Sequence, residues 1–217
     1  MSPVFRCCAT LSCQLLIPSC VHRSREFNVA LNGVTHAEIS DINITSTWYV
    51  DPKSKELKEP HNTDGIGEHH QGRSVHADSQ VVHWGALVPS LGPSSDRCVV
   101  ADPGGGSTGI HIHNVWIHNG DDSVAVKPSG LGDCTRDILV ESSHFEFGHG
   151  CSIGSVGSGC VENVVFRNIT MANQENGCRV KTYSEQAGHV HNITWADITV
   201  KDTGSCVTVN ANYKPLP

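Results

Sequence analysis

The 217-residue chain is poor in aromatic side chains and in charge, and it has no surplus of positive charge. Aromatic residues make up 6% of the sequence and charged residues 17%, and the net charge is −7. Because a nucleic-acid backbone is met by clustered lysine and arginine, this balance argues against a nucleic-acid partner. The sequence also lacks an apolar stretch long enough to span a bilayer, so we expect no membrane partner.

Helical periodicity is absent as well, whereas glycine and small polar residues are frequent. The chain contains 21 glycines, and its 38% of hydrophobic residues is enough to form a buried core. Asparagine, serine and threonine, set in runs that alternate with apolar residues, favour short strands joined by turns. We therefore expect an all-β protein.

A repeat dominates the second half of the sequence. Residues 109–119 and 137–147 align without a gap and share the same apolar alternation, which returns at 163–171 and 192–200. The period is roughly 26 to 29 residues, inside the range in which self-similarity indicates a solenoid. Since each unit carries strand-like alternation, the sequence predicts a right-handed parallel β-helix built from stacked rungs of this length.

The repeat also suggests the domain organisation. Residues 27–217 form the predicted β-helix domain, with 27–47 as its first recognisable rung. Residues 1–26 are interpreted as an irregular segment, either a signal sequence interrupted by cysteines or a gene-model artefact. Residues 67–106 have neither alternation nor a helical period, so we interpret them as an irregular insertion, either retained non-coding sequence or a surface loop.

Cysteine usage and glycosylation motifs favour a secreted protein. Ten cysteines are many for a cytosolic chain of this length, and Asn-Ile-Thr sequons begin at Asn43, Asn168 and Asn192. The sequons have an alternative interpretation, because Asn-Ile-Thr also suits a turn followed by a strand.

The register of the repeat brings polar residues together. It places Gly120-Asp121-Asp122 over Gly148-His149-Gly150, where neighbouring strands lie about 4.8 Å apart. Adjacent strand residues point to opposite faces, so the two aspartates converge only if the chain bends. We expect Gly120 to supply that bend.

One rung further, the same register aligns 150–154 with 177–181. The alternation of inward and outward side chains then predicts an outer wall that carries acids on one coil, small residues that leave a hollow, and two cations. Together these features suit the binding of an anionic sugar chain. The outward residues are expected to be Ser152, Gly154, Arg179 and Lys181. Cys151, Cys178 and Cys206 are expected in one inward column as buried thiols.

Four short motifs resemble those of a known family. In order along the chain they are Asn62-Thr63-Asp64, Gly120-Asp121-Asp122, Gly148-His149-Gly150 and Arg179-Val180-Lys181. This set is similar to the signature motifs of glycoside hydrolase family 28, the polygalacturonases and their relatives, and Tyr213 resembles the family's substrate-contacting tyrosine. The resemblance covers residues 27–66 and 107–213. One departure is Ser123, where the family often has a cysteine.

The resemblance implies a function and a set of roles. The expected reaction is hydrolysis of α-1,4-galacturonosyl linkages in cell-wall pectin with inversion, without cofactor or metal. Asp121 would be the general acid, Asp64 and Asp122 would activate water, and His149 would support their protonation. The residues that contact the substrate would be Asn62, Arg179, Lys181 and Tyr213.

Physical chemistry adds an expectation about protonation, because three crowded carboxylates cannot all ionise easily. One of them is therefore expected to keep a raised pKa and to act as the acid. Gly120 before the paired acids, together with the overall pattern of the motifs, slightly favours exo cleavage. We expect an extracellular monomer whose partner is the polysaccharide substrate.

Other functions remain open at this point. Each motif taken alone is more typical of solvated surface residues than of catalysis, and only their combination reverses that preference. A non-catalytic polysaccharide-binding solenoid, a truncated pseudo-enzyme and a calcium-dependent pectate lyase are the alternatives. The histidines between 69 and 83 lack ligand spacing, so we expect no metal site there.

Overall fold

The computed structural model describes residues 31, 34–46, 55, 106–128, 134–184 and 186–213. It also gives the backbone of short strands at 5–8, 11–16, 49–50 and 57–58. Regular structure in this part of the chain consists of strands without helices. Among these same residues, therefore, no helix is long and apolar enough to cross a membrane.

Fifteen strands, β1 to β15, make up the described regular structure. They are β1 Phe5–Cys8, β2 Leu11–Leu16, β3 Thr35–Ser40, β4 Asn43–Thr45, β5 Tyr49–Val50, β6 Leu57–Lys58, β7 Thr108–His113, β8 Trp116–His118, β9 Val124–Val126, β10 Cys134–Glu146, β11 Cys151–Val156, β12 Cys160–Ala172, β13 Asn176–Thr182, β14 His189–Lys201 and β15 Ser205–Asn210.

The strands stack as coils of a parallel β-helix. The first sheet has the order β1-β2-β3-β7-β10-β12-β14, with β4 and β8 continuing β3 and β7, and the second has the order β15-β13-β11-β9. Pairing is parallel from β2 onward in the first sheet and throughout the second, while β1 pairs antiparallel with β2. The predicted all-β parallel β-helix is confirmed.

The rung length also agrees with the sequence. Side-chain hydrogen bonds join equivalent positions of successive coils: Asn163 bonds to Asp137 across 26 residues and Asn192 to Asn163 across 29. The domain boundaries stay predictions, because residues 67–105 and nearly all of 17–33 lie outside the described residues.

Strand alternation builds the core. Register places Ile39, Ile112, Val140, Phe166 and Trp195 in one inward column. The first four of these side chains are fully buried, and the rings of Phe166 and Trp195 stack with their centroids 5.7 Å apart. Each coil therefore buries its apolar residues mainly against the same position of its neighbours, as the period-2 pattern requires.

Columns of polar residues form the corners of the coil. Asp41, Asn114, Ser142, Asn168 and Asp197 occupy equivalent positions and all have positive φ, between 50° and 59°. Asparagine and aspartate tolerate this left-handed conformation better than other non-glycine residues, which explains why they recur at the period of the repeat.

These corner ladders bear on the sequons. Asn168 donates through Nδ2 to Ser142 Oγ at 3.2 Å, and Asn192 donates to Asn163 Oδ1 at 2.9 Å. Both amides thus have a structural use in the stack. The alternative interpretation of these two sequons, as turn and strand sequence, gains support from that use.

The cysteines follow the predicted column only in part. Cys151 pairs with Cys178, both are buried free thiols, and burial raises the pKa of both, that of Cys178 to about 11. The prediction is wrong for Cys206, because Val207 occupies the position opposite Cys178. Cys206 is exposed, as is Val207 on the same strand. The pairing is displaced by one residue from the expected one, and such a shift turns a side chain to the other face.

Among the described residues, the disulfide Cys134–Cys160 joins the first positions of β10 and β12. The two cysteines are 26 residues apart and face each other in register, so the bond closes one full coil. Closing a loop of this length restricts the unfolded chain and favours the folded one by about 3 kcal/mol.

We predict that replacing both Cys134 and Cys160 by serine lowers the free energy of unfolding by about 3 kcal/mol, because the loop-closure entropy is restored. Denaturant unfolding of the oxidised protein measures this difference. The control is the unsubstituted chain under reducing conditions, which should lose a similar amount. Equal stability of the oxidised protein and the double variant would contradict the prediction.

Candidate active site

Two aspartates lie in the turn between β8 and β9, where one sheet gives way to the other. The backbone N–H of His149 donates to the carbonyl of Asp121 at 2.8 Å, and that of Ser123 donates to the carbonyl of Gly150 at 2.9 Å. The predicted stacking of 120–122 on 148–150 is therefore confirmed. Because this contact falls at a corner, neighbouring side chains are not forced to opposite faces.

The glycines that make this approach possible are not the expected one. Gly148 and Gly150 have φ of 75° and 78°, and a Cβ on them would lie 2.1 Å from the carbonyl oxygens of Asp121 and Asn176, respectively. Gly120 does not use a positive φ. The prediction that Gly120 supplies the bend is wrong in that respect, since the demanding backbone angles belong to the coil above it.

Asp121 and His149 form the more accessible part of the site. His149 Nδ1 lies 3.2 Å from Asp121 Oδ1, and its Nε2 lies 3.1 Å from Glu175 Oε2. The imidazole is thus held between two carboxylates. The side chains of Asp121 and His149 are 20% and 30% exposed, so a ligand on the surface can reach both.

The proton of this pair belongs to the imidazole. Burial by itself raises the pKa of Asp121, but the hydrogen bond and charge of His149, aided by the Asp122 N–H and Lys181, outweigh it and lower the pKa from 3.8 to about 2. Burial by itself lowers the pKa of His149, yet Asp121, with Asp122 and Glu175, raises it above its usual 6.5. The expected raised pKa is therefore not found at Asp121. The third carboxylate of that expectation, Asp64, lies outside the described residues.

Asp122 forms a buried cluster behind this pair. Its side chain is 2% exposed and accepts bonds from Ser152 Oγ at 2.6 Å and from the Lys181 ammonium, while Arg179 Nη1 lies 3.7 Å away. Ser152 was expected on an open outer wall, but it is fully buried. The expected hollow is wrong at this position, because the Asp122 side chain bonds to the Ser152 hydroxyl and the residue is buried.

Tyr213 completes the cluster at its outer side. Its ring centroid lies 5.7 Å from the Arg179 guanidinium carbon and 5.5 Å from Lys181 Nζ, and its N–H donates to the carbonyl of Thr182. Contacts of this length between cations and an aromatic face are favourable.

Most of the predicted site residues therefore come together at one corner of the coil. They are Asp121, Asp122, His149, Arg179, Lys181 and Tyr213. Asn62 and Asp64 lie outside the described residues, so their placement stays a prediction.

Two functional contacts were missed from the sequence, those of Ser152 and Glu175. Ser152 was in the aligned segment but was taken as a spacer. Glu175 belongs to the turn that stacks on 148–150, since its N–H donates to the carbonyl of Gly148 at 2.7 Å. Extending the register through the inserted residue of that turn would have indicated it.

The arrangement suits proton transfer better than cation binding. The ligand atoms of Asp121, Asp122 and His149 lie within 4.8 Å of one another. Both oxygens of Asp122, however, already accept bonds from Ser152 and Lys181. A metal would have to displace a buried ammonium, whereas a proton can move along the contact between Asp121 and His149 that is already present.

Comparison with known proteins shows that the chain is similar to polygalacturonases. Residues 101–216 match the sequence profile of glycosyl hydrolases family 28. Identity is 43% over 97 residues to a probable endopolygalacturonase D of Neosartorya fischeri, covering 43% of this chain and 19% of that protein. A polygalacturonase of Cochliobolus carbonum is 43% identical over 101 residues, covering 45% of this chain and 26% of its own length.

A further relative is endopolygalacturonase II of Aspergillus niger, 39% identical over 116 residues, which covers 51% of this chain and 30% of that protein. The chain thus spans less than a third of the length of these relatives. Among solved structures, endo-xylogalacturonan hydrolase from Aspergillus tubingensis matches with a TM-score of 0.58 at 20% identity, over 86% of this chain and 46% of that one. That likeness supports the β-helix fold.

We predict that the Asp121–His149 contact stabilises the fold over a bounded pH range. The low pKa of Asp121 contributes stability that is present above 3.8 and is lost as the pH falls toward 2. The raised pKa of His149 contributes stability that is present below 6.5 and is lost as the pH rises through its higher folded value. From the Asp121 shift, the contribution is about 2 kcal/mol.

Thermal unfolding of the unsubstituted protein and His149→Gln across pH 2 to 9 measures this contribution. The difference in midpoint should be largest between pH 3.8 and 6.5 and should shrink on both sides. His144→Gln, a change at a histidine of the first sheet, serves as the control. A difference that does not vary with pH would contradict the assignment of the proton to His149.

Proposed function

The chain belongs to glycosyl hydrolases family 28, and from that premise we propose that it is a glycosidase that hydrolyses α-1,4-galacturonosyl linkages in pectin. The polygalacturonase names of the relatives support the substrate class. The observation that carries the proposal is the corner at which an accessible Asp121–His149 pair lies in front of a buried Asp122–Lys181–Arg179 cluster.

Asp121 is the proposed general acid, with His149 as its proton store. At a pH between the two pKa values the pair holds one proton, on the imidazole. As the bond to the leaving sugar breaks, that proton passes from His149 through Asp121 to the glycosidic oxygen. This route does not require Asp121 to be protonated before the reaction, because Asp121 and His149 share one proton and titrate together.

Asp122 and Asp64 are the proposed acceptors for the proton of the attacking water. Ser152 and Lys181 fix the orientation of Asp122. Water attacking from the side opposite the leaving group inverts the anomeric carbon. The proton taken from water balances the one given to the leaving sugar, so the site returns to its starting state after each cleavage.

Arg179, Lys181 and Tyr213 are the proposed substrate contacts, together with Asn62. Arg179 and Lys181 both lie beside the one carboxylate of Asp122, and the carboxylate of galacturonate is a group that these two cations can bind. The Tyr213 ring next to these cations offers an apolar face to a sugar ring. We also propose that the protein acts outside the cell, consistent with its disulfide.

The mode of cleavage is proposed to be internal. The weak expectation of exo cleavage depended partly on Gly120, which does not have the special backbone angles assumed for it. The names of two of the relatives, both endopolygalacturonases, favour cleavage within the chain. Early products of mixed length would support this mode, and monomers alone would support exo cleavage.

We predict that Asp121→Asn reduces hydrolysis of polygalacturonate at least 100-fold, the lower end of what a general acid contributes, roughly 10²–10⁴. A reducing-sugar assay with the full chain measures the rate. Asp202→Asn is the matched control, because Asp202 is an exposed turn aspartate at positive φ, where asparagine is equally suited. Equal activity in the Asp121 variant and the control would remove Asp121 as the acid.

The same assay separates the alternative functions. A polysaccharide-binding solenoid or pseudo-enzyme would bind polygalacturonate without forming reducing ends, and Asp121→Asn would leave binding intact. A calcium-dependent lyase would lose activity with a chelator and would form an unsaturated product that absorbs in the ultraviolet. The proposed hydrolase shows neither property.

We predict that His149→Gln narrows the pH range of activity. In the unsubstituted protein the pair should hold its proton to above pH 6.5, because the pKa of His149 is raised. Without the imidazole, Asp121 alone must carry the proton, so the alkaline limb of kcat/KM should move to the acidic range of a carboxyl group. An unchanged alkaline limb would contradict the proton-store role, even if the rate fell.

A further inference from the structure

A second cluster of ionisable side chains lies on the outer face of the first sheet, away from the corner that holds Asp121. His111 and His113 are two residues apart on β7, so both project to the same side. Their rings lie 4.4 Å apart with an angle of 32° between their planes. Both side chains are partly exposed, 38% for His111 and 20% for His113, so a small ligand from solvent can reach the cluster.

Carboxylates from the two neighbouring coils face these imidazoles. His113 Nε2 lies 2.9 Å from Glu38 Oε1 on β3, and His111 Nε2 lies 2.8 Å from Glu141 Oε1 on β10. Arg167 on β12 holds the other oxygen of Glu141 at 2.6 Å and lowers its pKa, so this carboxylate is ionised and fixed in direction.

We propose that Glu38, His111 and His113, with Glu141 as a fourth donor, form a binding site for a divalent zinc ion. Two imidazoles and carboxylate oxygens are donors that zinc prefers. The ligand atoms of Glu38, His111 and His113 lie within 4.8 Å of one another. Zinc bonds of about 2.0–2.2 Å in a tetrahedron require ligand atoms about 3.4 Å apart, which rotation of exposed side chains can supply.

The charge of the donor set also suits a divalent cation. Glu38 and Glu141 bring two carboxylates to the two imidazoles, and one zinc ion carries the matching charge of +2. The ion would connect β3, β7 and β10, three successive coils of the first sheet.

Calorimetric titration of the oxidised full chain with zinc chloride tests the proposal. One zinc ion should bind per chain, and the double variant His111→Gln/His113→Gln should bind it at least about 100-fold more weakly, since two of four donors are lost. His144→Gln is the matched control, because His144 on β10 is 36% exposed, close to the 38% of His111, and pairs with Glu146. It should bind zinc like the unsubstituted chain.

Thermal unfolding provides a second measurement. Zinc should raise the unfolding midpoint of the unsubstituted chain and of the control in a concentration-dependent way, and should leave the double variant unchanged. Failure of the unsubstituted chain to bind zinc would overturn the proposal. So would full binding by the double variant.

The competing location is the cluster of Cys134, Cys160, Glu162 and His189, whose ligand atoms also lie within 4.8 Å of one another. Its two sulfurs are joined in a disulfide in the structure, which removes the thiolates that bind zinc. His189→Gln tests this location directly. Loss of zinc binding in that variant, with binding retained in His111→Gln/His113→Gln, would assign the ion to the cysteine cluster instead.

Discussion

Parallel backbone pairing between successive coils is the constraint on which the rest of the structure depends. Eleven residues of β10 have partners on β12, in a register interrupted only at the left-handed positions Asp137 and Ser142. That register places Cys134 against Cys160 and Val140 against Phe166. A shift of one residue would turn every side chain of a coil to the opposite face, so the core, the disulfide and the polar corner all depend on it.

Corners are where this architecture can gather neighbouring residues. Inside a strand, consecutive side chains separate to opposite faces, and two adjacent aspartates could not serve one site. At the turn after β8 that rule does not hold, and glycines at 148 and 150 let the next coil approach closely. The same corners absorb the variation in coil length, since the strands themselves stay in register. Chemistry and tolerance of length changes therefore occupy the same part of the coil.

The sequence predicts the strands well and the corners poorly, for a physical reason. Period-2 alternation and the repeat length determine which residues of β10, β12 and β14 face inward, because a strand has only two faces. The contact of Glu175 and the position of Cys206 depend on single-residue shifts at turns, which alternation does not specify. Ser152 lies inside β11 in the expected register, and its bond to Asp122 depends on the direction of the Asp122 side chain, which alternation does not specify either. The ladder role of Asn168 and Asn192 becomes visible only when the coils are stacked.

A count of carboxylates in the sequence predicts the wrong direction for the Asp121 pKa shift, because it leaves out the cations that the fold brings to the same cluster. Crowded carboxylates alone would raise one pKa, yet Asp121, Asp122 and Glu175 are matched by His149, Arg179 and Lys181 in the same cluster. The described residues of the site therefore carry three groups of each sign, and among them there is no surplus negative charge to hold a proton on a carboxyl group.

Under the proposed function, the substrate changes that balance. A bound galacturonate adds a negative charge near Arg179 and Lys181. Its carboxylate competes with Asp122 for these two cations. Lys181 is one of the groups that lower the pKa of Asp121, so offsetting its charge raises that pKa relative to the pKa of His149 and favours movement of the proton toward Asp121. Binding of the substrate would then favour protonation of the general acid that cleaves it. A neutral sugar chain of the same shape would leave the proton on the imidazole of His149.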